Sequence, residues 1–286
     1  MALADQKCLK KSGTHTAESE MQCGDKDQAA ALQPYEYRAL HTPNTVRVFC
    51  LDPAEVEVDP LTGHLIQFDR YDELAKLDHQ QEYIAVSYVW GERDLSERLI
   101  LNGTENNHCG YLRITPNVKV MLEHFRRRHK KIYLWIDAIC LNQNDEAEKA
   151  QQIPLMGEIY QHARKSYFWL GLEDGFEAAK IFAYFRLLAV TDFSRTVTYK
   201  VRHDHPDADY VKQIRQFLER PWFFRRWILQ EAGLSRHGLM WCGHHKMQYD
   251  LFVMACRKLN EAENFPETFA IETTVKLCNF NFCITA

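Results

Sequence analysis

The chain has 286 residues, 46% hydrophobic and 26% charged, with 35 basic and 39 acidic side chains giving a formal net charge of −4. This balance excludes collagen-like, mucin-like and wholly disordered chains, and it gives no general attraction to nucleic acid or anionic lipid; at about 150 residues per domain it leaves room for one large domain or two small ones. Nine cysteines at irregular spacing, without a C-x-x-C, argue against a disulfide framework or a four-thiolate zinc site and point to a reducing cytoplasm or nucleus, while the apolar runs fall far short of the ~18 residues a membrane span needs.

Residues 1–33 are polar and aperiodic and are expected to form a disordered tail, with no apolar stretch of signal-peptide length. Val46 to Leu51 alternates apolar and polar residues, which predicts a half-buried strand. Leu65 to Phe68 is a second strand candidate, after turn chemistry at Asp59 to Gly63. Tyr83 to Trp90 carries no charge and reads as a strand covered on both faces, ending at Gly91. Leu99 to Leu101, the turn signal Asn102-Gly103 and Tyr111 to Ile114 predict a β-hairpin. Thr115-Pro116 is a helix start, and the helix should run through Val118, Leu122 and Phe125 into the basic run Arg126 to Lys131.

Ile132 to Ile136 is a further apolar strand, followed by Asp137 and a polar loop over Asn144 to Gln152. Pro154 belongs at the first turn of a helix carrying Leu155, Met156, Ile159, Tyr160 and Ala163, because inside a helix it would cost ~3 kcal/mol. Tyr167 to Gly171 is another strand, 175–190 a helix, 194–209 a surface loop and 214–234 a helix interrupted at Pro221. Leu239 to Gly243 reads as a strand, and Asp250 as the cap of a final helix with Leu251, Phe252, Ala255 and Leu259; the last twenty residues show no pattern. Strand–helix–strand alternation predicts an α/β fold with a parallel sheet.

Chemistry concentrates in two places. If Arg220 to Glu231 is laid on a helix, Phe224, Trp227 and Ile228 form one stripe and Glu231 falls inside it, with Arg225 and Arg226 toward the other face. A carboxylate on a core-facing stripe is costly unless it is paired or lines a cleft. Pairing with a buried arginine or a backbone cap, and a catalytic role, are both open. The second place is the strand ends, where open α/β sheets form ligand sites. Ser87, Tyr88 and Asp137 lie there, and Asn142 and Gln143 can face the same crevice. The alternative is that Asp137 caps the loop through Asn142.

Other candidates are weaker. Cys140 has no histidine at a suggestive spacing and reads as an inert thiol. Cys242-Gly243-His244-His245 offers three ligands without a second cluster to complete a tetrahedral set, so no metal site is expected. The run Arg126 to Lys131 reads as a solvated helix end and not a nucleic-acid contact. Neither a phosphate-binding Gly-Lys-Ser/Thr loop nor a Gly-x-Ser-x-Gly elbow is present.

Three blocks together resemble the fungal heterokaryon incompatibility (HET) domain. They are Tyr83 to Gly91; Leu134 to Gln143 continuing through Gln152, Met156 to Tyr160 and Ala163 to Trp169-Leu170-Gly171; and Arg220 to Phe223 with Arg226-Trp227 and Gln230-Glu231. The departures are Lys149 where the family usually has Arg, and Leu141 for a usual Ile.

The resemblance implies a HET domain over 34–243 with a C-terminal helical extension over 244–286. It implies a TIR/flavodoxin-like parallel sheet core wrapped by helices, with an added β-hairpin and N-terminal strands. It also implies an effector of fungal non-self recognition and regulated cell death. In the enzymatic TIR branch a glutamate near a tryptophan supports cleavage of NAD at the nicotinamide–ribose bond. That carries Glu231 over as the catalytic carboxylate, with Trp227 beside it. Tyr88 and Trp90 would stack on nicotinamide or adenine, and Ser87 and Asp137 would bind ribose, with Asn142 and Gln143 in the same crevice. NAD then enters as substrate, with no resident cofactor. The alternative is a non-enzymatic signalling module acting by self-association or by docking another incompatibility protein, with Glu231 and Asp137 structural.

Overall fold

The computed structural model describes residues 32–56, 59–69, 82–92, 94–103, 109–191 and 208–261. Nearly all of the expected tail over 1–33, most of the expected loop over 194–209 and the patternless last twenty residues lie outside the described residues. Among the described residues nine strands form one mixed sheet: β1 Thr45–Leu51, β2 Thr62–Asp69, β3 Ile84–Tyr88, β4 Glu97–Leu101, β5 Gly110–Ile114, β6 Ile132–Trp135, β7 Lys165–Trp169, β8 Gly238–Cys242 and β9 His245–Gln248, in the order β5-β4-β2-β1-β6-β3-β7-β8-β9.

The centre is four parallel strands, β6-β3-β7-β8. Numbered by their order in the chain they run 2-1-3-4, the order of doubly wound sheets, which when they bind ligands do so outside the carboxyl ends of the first and third strands, here β3 and β7. Ser87 pairs with Phe168 and Tyr88 with Trp169 at that end. On one flank β1 is antiparallel to both β6 and β2, β4 adds parallel to β2, and β5 closes the β4 hairpin. On the other flank β9 returns antiparallel to β8 through Gly243, whose φ of 51° suits a residue without Cβ. The α/β class, parallel core, hairpin and N-terminal strands agree with expectation. Strand β9 was not foreseen, because its four residues, His-Lys-Met-Gln, carry no strand pattern. It makes residues 245–248 part of the sheet, ahead of the C-terminal helix.

The helices cover both faces. α1 Pro116–Phe125 starts as predicted, with Thr115 Oγ accepting from Val118 N at 3.3 Å and proline in the first turn. It stops at Phe125, so the basic run from Arg126 to Lys131 lies beyond the helix and not in its last turn. Phe125 packs against Tyr167, Trp169 and Trp241 at centroid distances of 5.0, 5.8 and 4.9 Å. The opposite sheet face, marked by Phe168 and Met240, belongs to a second apolar cluster with α5 Ala178–Val190 and the C-terminal helix Tyr249–Glu261, where Phe185 meets Phe252 at 5.1 Å. No helix among the described residues is long and apolar enough to cross a membrane.

Between β6 and β7 run α2 Asp137–Cys140, α3 Glu146–Gln152, a 3₁₀ turn Ile153–Leu155 and α4 Met156–His162. Pro154 sits in the first turn of the 3₁₀ segment, as expected. The expected polar loop over 144–152 is instead mostly α3, capped by Asp145, whose side chain accepts from Glu148 N at 3.0 Å. Its buried face consists of Glu148 and Gln152, one turn apart, so apolar periodicity could not reveal it.

The partner of Glu148 corrects a second expectation. β1 is buried along its whole length, not half-buried, because Arg47 turns inward. Its guanidinium grips Glu148 at 2.5 and 2.9 Å, donates to Cys140 O at 3.3 Å and also to Arg38 O. Gln152 Nε2 donates to Thr45 O at 3.1 Å. Polar side chains thus fasten α3 to β1.

The segment after α6 Ala208–Leu218 departs most from expectation. Pro221–Phe224 is a 3₁₀ turn, Arg225 is extended, and α7 spans only Ile228–Gly233. Phe224 and Trp227 therefore point outward, 55% and 50% exposed, while Trp222, Phe223 and Ile228 are buried. The predicted stripe of Phe224, Trp227 and Ile228 does not exist. The segment seats against α4 at Gly157, where a Cβ would come within 2.5 Å of Gln230 Nε2 and 3.1 Å of Leu234 Cδ1. Glu148→Ala, which leaves Arg47 as an uncompensated buried charge, is expected to lower stability by about 3–5 kcal/mol in urea unfolding.

Candidate functional site

Three elements meet outside the carboxyl end of β3. Ser87 comes from the strand itself, Trp222 from the 3₁₀ turn, and Arg225 and Glu231 from the extended residue and α7 that follow. The Ser87 hydroxyl donates to Glu231 Oε2 in a short contact and accepts from Trp222 Nε1 at 2.9 Å. Arg225 spans both oxygens of the glutamate, from Nη1 to Oε2 at 3.3 Å and from Nη2 to Oε1 at 3.1 Å, and Nη1 also reaches Ser87 Oγ at 3.4 Å. Trp222 is fixed in turn by Phe168 on β7, at a centroid distance of 5.3 Å. The Glu231 side chain is 3% exposed and that of Arg225 21%, so the arginine is the solvent-side member of the pair.

Burial pushes the Glu231 carboxyl above its ordinary value, while Arg225 and the Ser87 hydrogen bond oppose that rise and the nearby charge of Asp137 adds to it. Asp137 itself, in the first turn of α2, is also raised by burial, opposed by its hydrogen bonds and by Arg225. Its Oδ2 accepts from Trp90 Nε1 at 2.8 Å and its Oδ1 from Ala138 N at 2.8 Å. The Tyr88 phenol is buried beside this carboxylate, and burial first and Asp137 second push its ionisation well up.

Ser87, Tyr88, Trp90, Asp137 and Glu231 are therefore brought together around one strand end. The Asn142 and Gln143 side chains make no hydrogen bond to the side chains of this cluster. Asn142 N donates to Glu148 Oε1 at 2.8 Å and its side chain accepts from Asn144 N. Gln143 Nε2 donates to Asp137 O at 2.7 Å. The loop is thus closed by Gln143 and not by an Asp137 cap on Asn142. Trp227 turns its ring to solvent at the start of α7, and its carbonyl accepts from Glu231 N at 2.9 Å.

Helical geometry assigned Arg225 to the wrong face, because the chain is extended at that residue; this is the site residue that sequence reasoning missed, along with Trp222 and Asn117. Asn117 bridges Val89 O and Trp169 Nε1, holding the chain just past β3 against β7. Pro221 marks the start of the 3₁₀ turn, as a first-turn proline can, but no residue type signals the break that follows at Arg225.

The remaining sequence candidates are explained by packing. Cys140 is buried, burial pushes its thiol up to about 12, and its sulfur donates to Leu134 O at 3.6 Å. Cys242 is likewise raised, to about 11, while His245 pairs with Glu173 at 3.0 Å and His244 stacks on His124.

The family model described as heterokaryon incompatibility protein (HET) matches residues 83–231, which run from the start of β3 to the buried glutamate. The chain is also similar to heterokaryon incompatibility protein 6, OR allele, of Neurospora crassa, at 28% identity over 254 residues, covering 77% of this chain and 36% of that relative. The chain thus spans little more than a third of the relative's length. No solved structure matches.

The raised Glu231 pKa has a definite sign in stability. The folded state holds this proton more tightly than the unfolded chain, so the contribution is fully present below the ordinary value of 4.5 and is lost as pH rises through the raised folded value. Asp137 acts in the same direction. Urea midpoints of the wild type should fall on going from pH 4.5 toward neutrality, and Glu231→Gln should flatten that fall; equal slopes in the two proteins would count against a raised carboxyl.

Proposed function

The chain belongs to the heterokaryon incompatibility (HET) family, and from that premise we propose that it is an effector module of fungal non-self recognition, acting in the cytoplasm to bring about regulated cell death by cleaving NAD. One observation carries the catalytic part: a buried carboxylate, Glu231, is bonded to Ser87 at the crevice end of the parallel sheet, with a second carboxylate, Asp137, near enough to shift it. The similar Neurospora protein carries incompatibility in its name.

The chemistry suits the groups present. The bond from ribose C1′ to the nicotinamide nitrogen breaks, and neutral nicotinamide leaves with the electron pair. Water then bonds to C1′ and releases a proton, giving ADP-ribose. The oxocarbenium character that develops on the ribose is stabilised by a carboxylate kept out of bulk water. Glu231 takes that role, Ser87 orients it, and Asp137 meets the ribose hydroxyls next to the Trp90 indole and Tyr88. Arg225 occupies both Glu231 oxygens in the resting state. A pyrophosphate offers the Arg225 guanidinium, on a side chain 21% exposed, another bidentate partner, and drawing Arg225 outward frees the glutamate.

A second reading, a non-enzymatic module working by self-association or partner docking, draws on the exposed rings of Phe224 and Trp227, two large apolar groups on the outer side of the same segment.

Concentrated chain incubated with NAD is expected to release nicotinamide and ADP-ribose, and Glu231→Gln to slow release at least about 100-fold with the fold intact by circular dichroism. Equal rates in the two proteins would overturn the catalytic reading. Constant NAD in cells that still die, with death abolished by Phe224→Ser and Trp227→Ser together, would establish the second.

A further inference from the structure

The hairpin of β1 and β2, which precedes the stretch matched by the family, holds a cluster of a different kind. The register sets Cys50 directly across from His64. Asp52 follows Cys50 by two residues, so the three side chains leave the same side of the hairpin end. The Cys50 sulfur, an imidazole nitrogen of His64 and a carboxylate oxygen of Asp52 all lie within 4.8 Å of one another, with Cys50 buried and the other two half-buried. Points no farther apart than this enclose a centre about 2.8 Å or less from each (4.8 Å divided by √3). Closing that distance to the ~2.0–2.3 Å of zinc–ligand bonds requires each atom to move by less than about 1 Å.

The carboxylate is already oriented. Asp52 Oδ2 accepts from Thr62 Oγ1 at 3.0 Å and from Asn102 Nδ2 at 2.9 Å. Hydrogen bonds of this kind fix ligating carboxylates in metal sites and are costly to lose. The backbone beneath is rigid: Asp52 N donates to Thr62 O and Asn102 N to Gly63 O, tying the ends of β1, β2 and β4 together. A competing cation among the described residues is Lys131, whose Nζ stands 3.9 Å from Asp52 Oδ1, at the limit of an ion pair and on a side chain one-third exposed.

We propose that Cys50, Asp52 and His64 form a binding site for a divalent cation of the zinc class, with water completing a tetrahedron. The donor set selects the ion. A thiolate with an imidazole suits borderline-soft Zn²⁺ and is poor for Mg²⁺ or Ca²⁺, which take oxygen ligands. Binding forms the metal–sulfur bond as the thiol loses its proton to solvent, so affinity rises with pH. The ion staples β1 to β2 and stabilises the folded chain by mass action.

The test uses the full chain, stripped with chelator, dialysed and titrated with Co²⁺ and then Zn²⁺. One Co²⁺ per chain is expected, with a thiolate-to-metal charge-transfer band that Zn²⁺ abolishes. Cys50→Ser should lose the band, and Cys242→Ser should keep it. Asp52→Asn, nearly isosteric, should weaken Co²⁺ at least ten-fold, and Zn²⁺ should raise the melting temperature of the wild type more than that of Asp52→Asn. A folded Cys50→Ser protein that keeps the band would overturn the assignment. If Cys50→Ser does not fold, unchanged affinity in Asp52→Asn overturns it equally.

Discussion

A carboxylate stays in a protein interior only where donors meet both of its oxygens, and Glu231 satisfies that condition by drawing three separate pieces of chain together. Its oxygens are held by Ser87 on a central strand and by Arg225, six residues earlier. That requirement explains why the chain from Arg220 to Gly233 is broken where it is. A continuous helix would carry Arg225 away from Glu231; a 3₁₀ turn followed by an extended residue brings the guanidinium back over it. The same break buries Trp222, which closes the ring of contacts by donating to Ser87 and packing on Phe168. Arg220 anchors the start of the segment by donating to Leu170 O at 2.5 Å, beside Gly171 in its left-handed conformation.

Among the described residues the same device recurs, with a different outcome. Arg47 and Glu148 form a second interior pair, and there both side chains are almost fully enclosed, 2% and 7% exposed. Each is also bonded to backbone groups, Arg47 to Cys140 O and Glu148 to Asn142 N. That pair holds α3 against β1. In the Arg225–Glu231 pair the glutamate is enclosed, 3% exposed, and the arginine less so, at 21%. Under the proposed chemistry an anion arriving from solvent meets the arginine first, and drawing it away uncovers the glutamate. The position at the end of β3, where strand order reverses, is where doubly wound sheets bind ligands. The asymmetry in exposure, more than the presence of a buried acid, separates a functional candidate from a structural clasp.

Much of this was legible from residue order alone. Uncharged runs located β3 and β6, Thr115-Pro116 located the start of α1, and strand–helix alternation gave the parallel core. Glu231 was correctly singled out as a buried acid, but through an argument the structure does not sustain: Phe224 and Trp227 face outward, and burial comes from Ser87 and Arg225. The failures share a cause. Where a buried face is made of apolar residues, periodicity reveals it. Where it is made of polar residues satisfied by distant partners, as with Arg47, Glu148 and Gln152, the signal lies in a pairing that only the fold creates. Cys50, Asp52 and His64 escaped notice for a related reason, since strand register and not sequence spacing makes them neighbours.

The fold of this segment therefore depends on direct energetic coupling between Arg225 and Glu231. A double-mutant cycle built from Arg225→Met, Glu231→Gln and the pair, read as unfolding free energy at neutral pH, measures it most directly. Removing one partner strands the other in a water-poor site, so the double variant should be less damaged than the sum of the single ones by about 2 kcal/mol. Single effects that add to within about 0.5 kcal/mol would mean that the two side chains do not hold one another, and the clasp on which both the fold of this segment and its proposed chemistry depend would be absent.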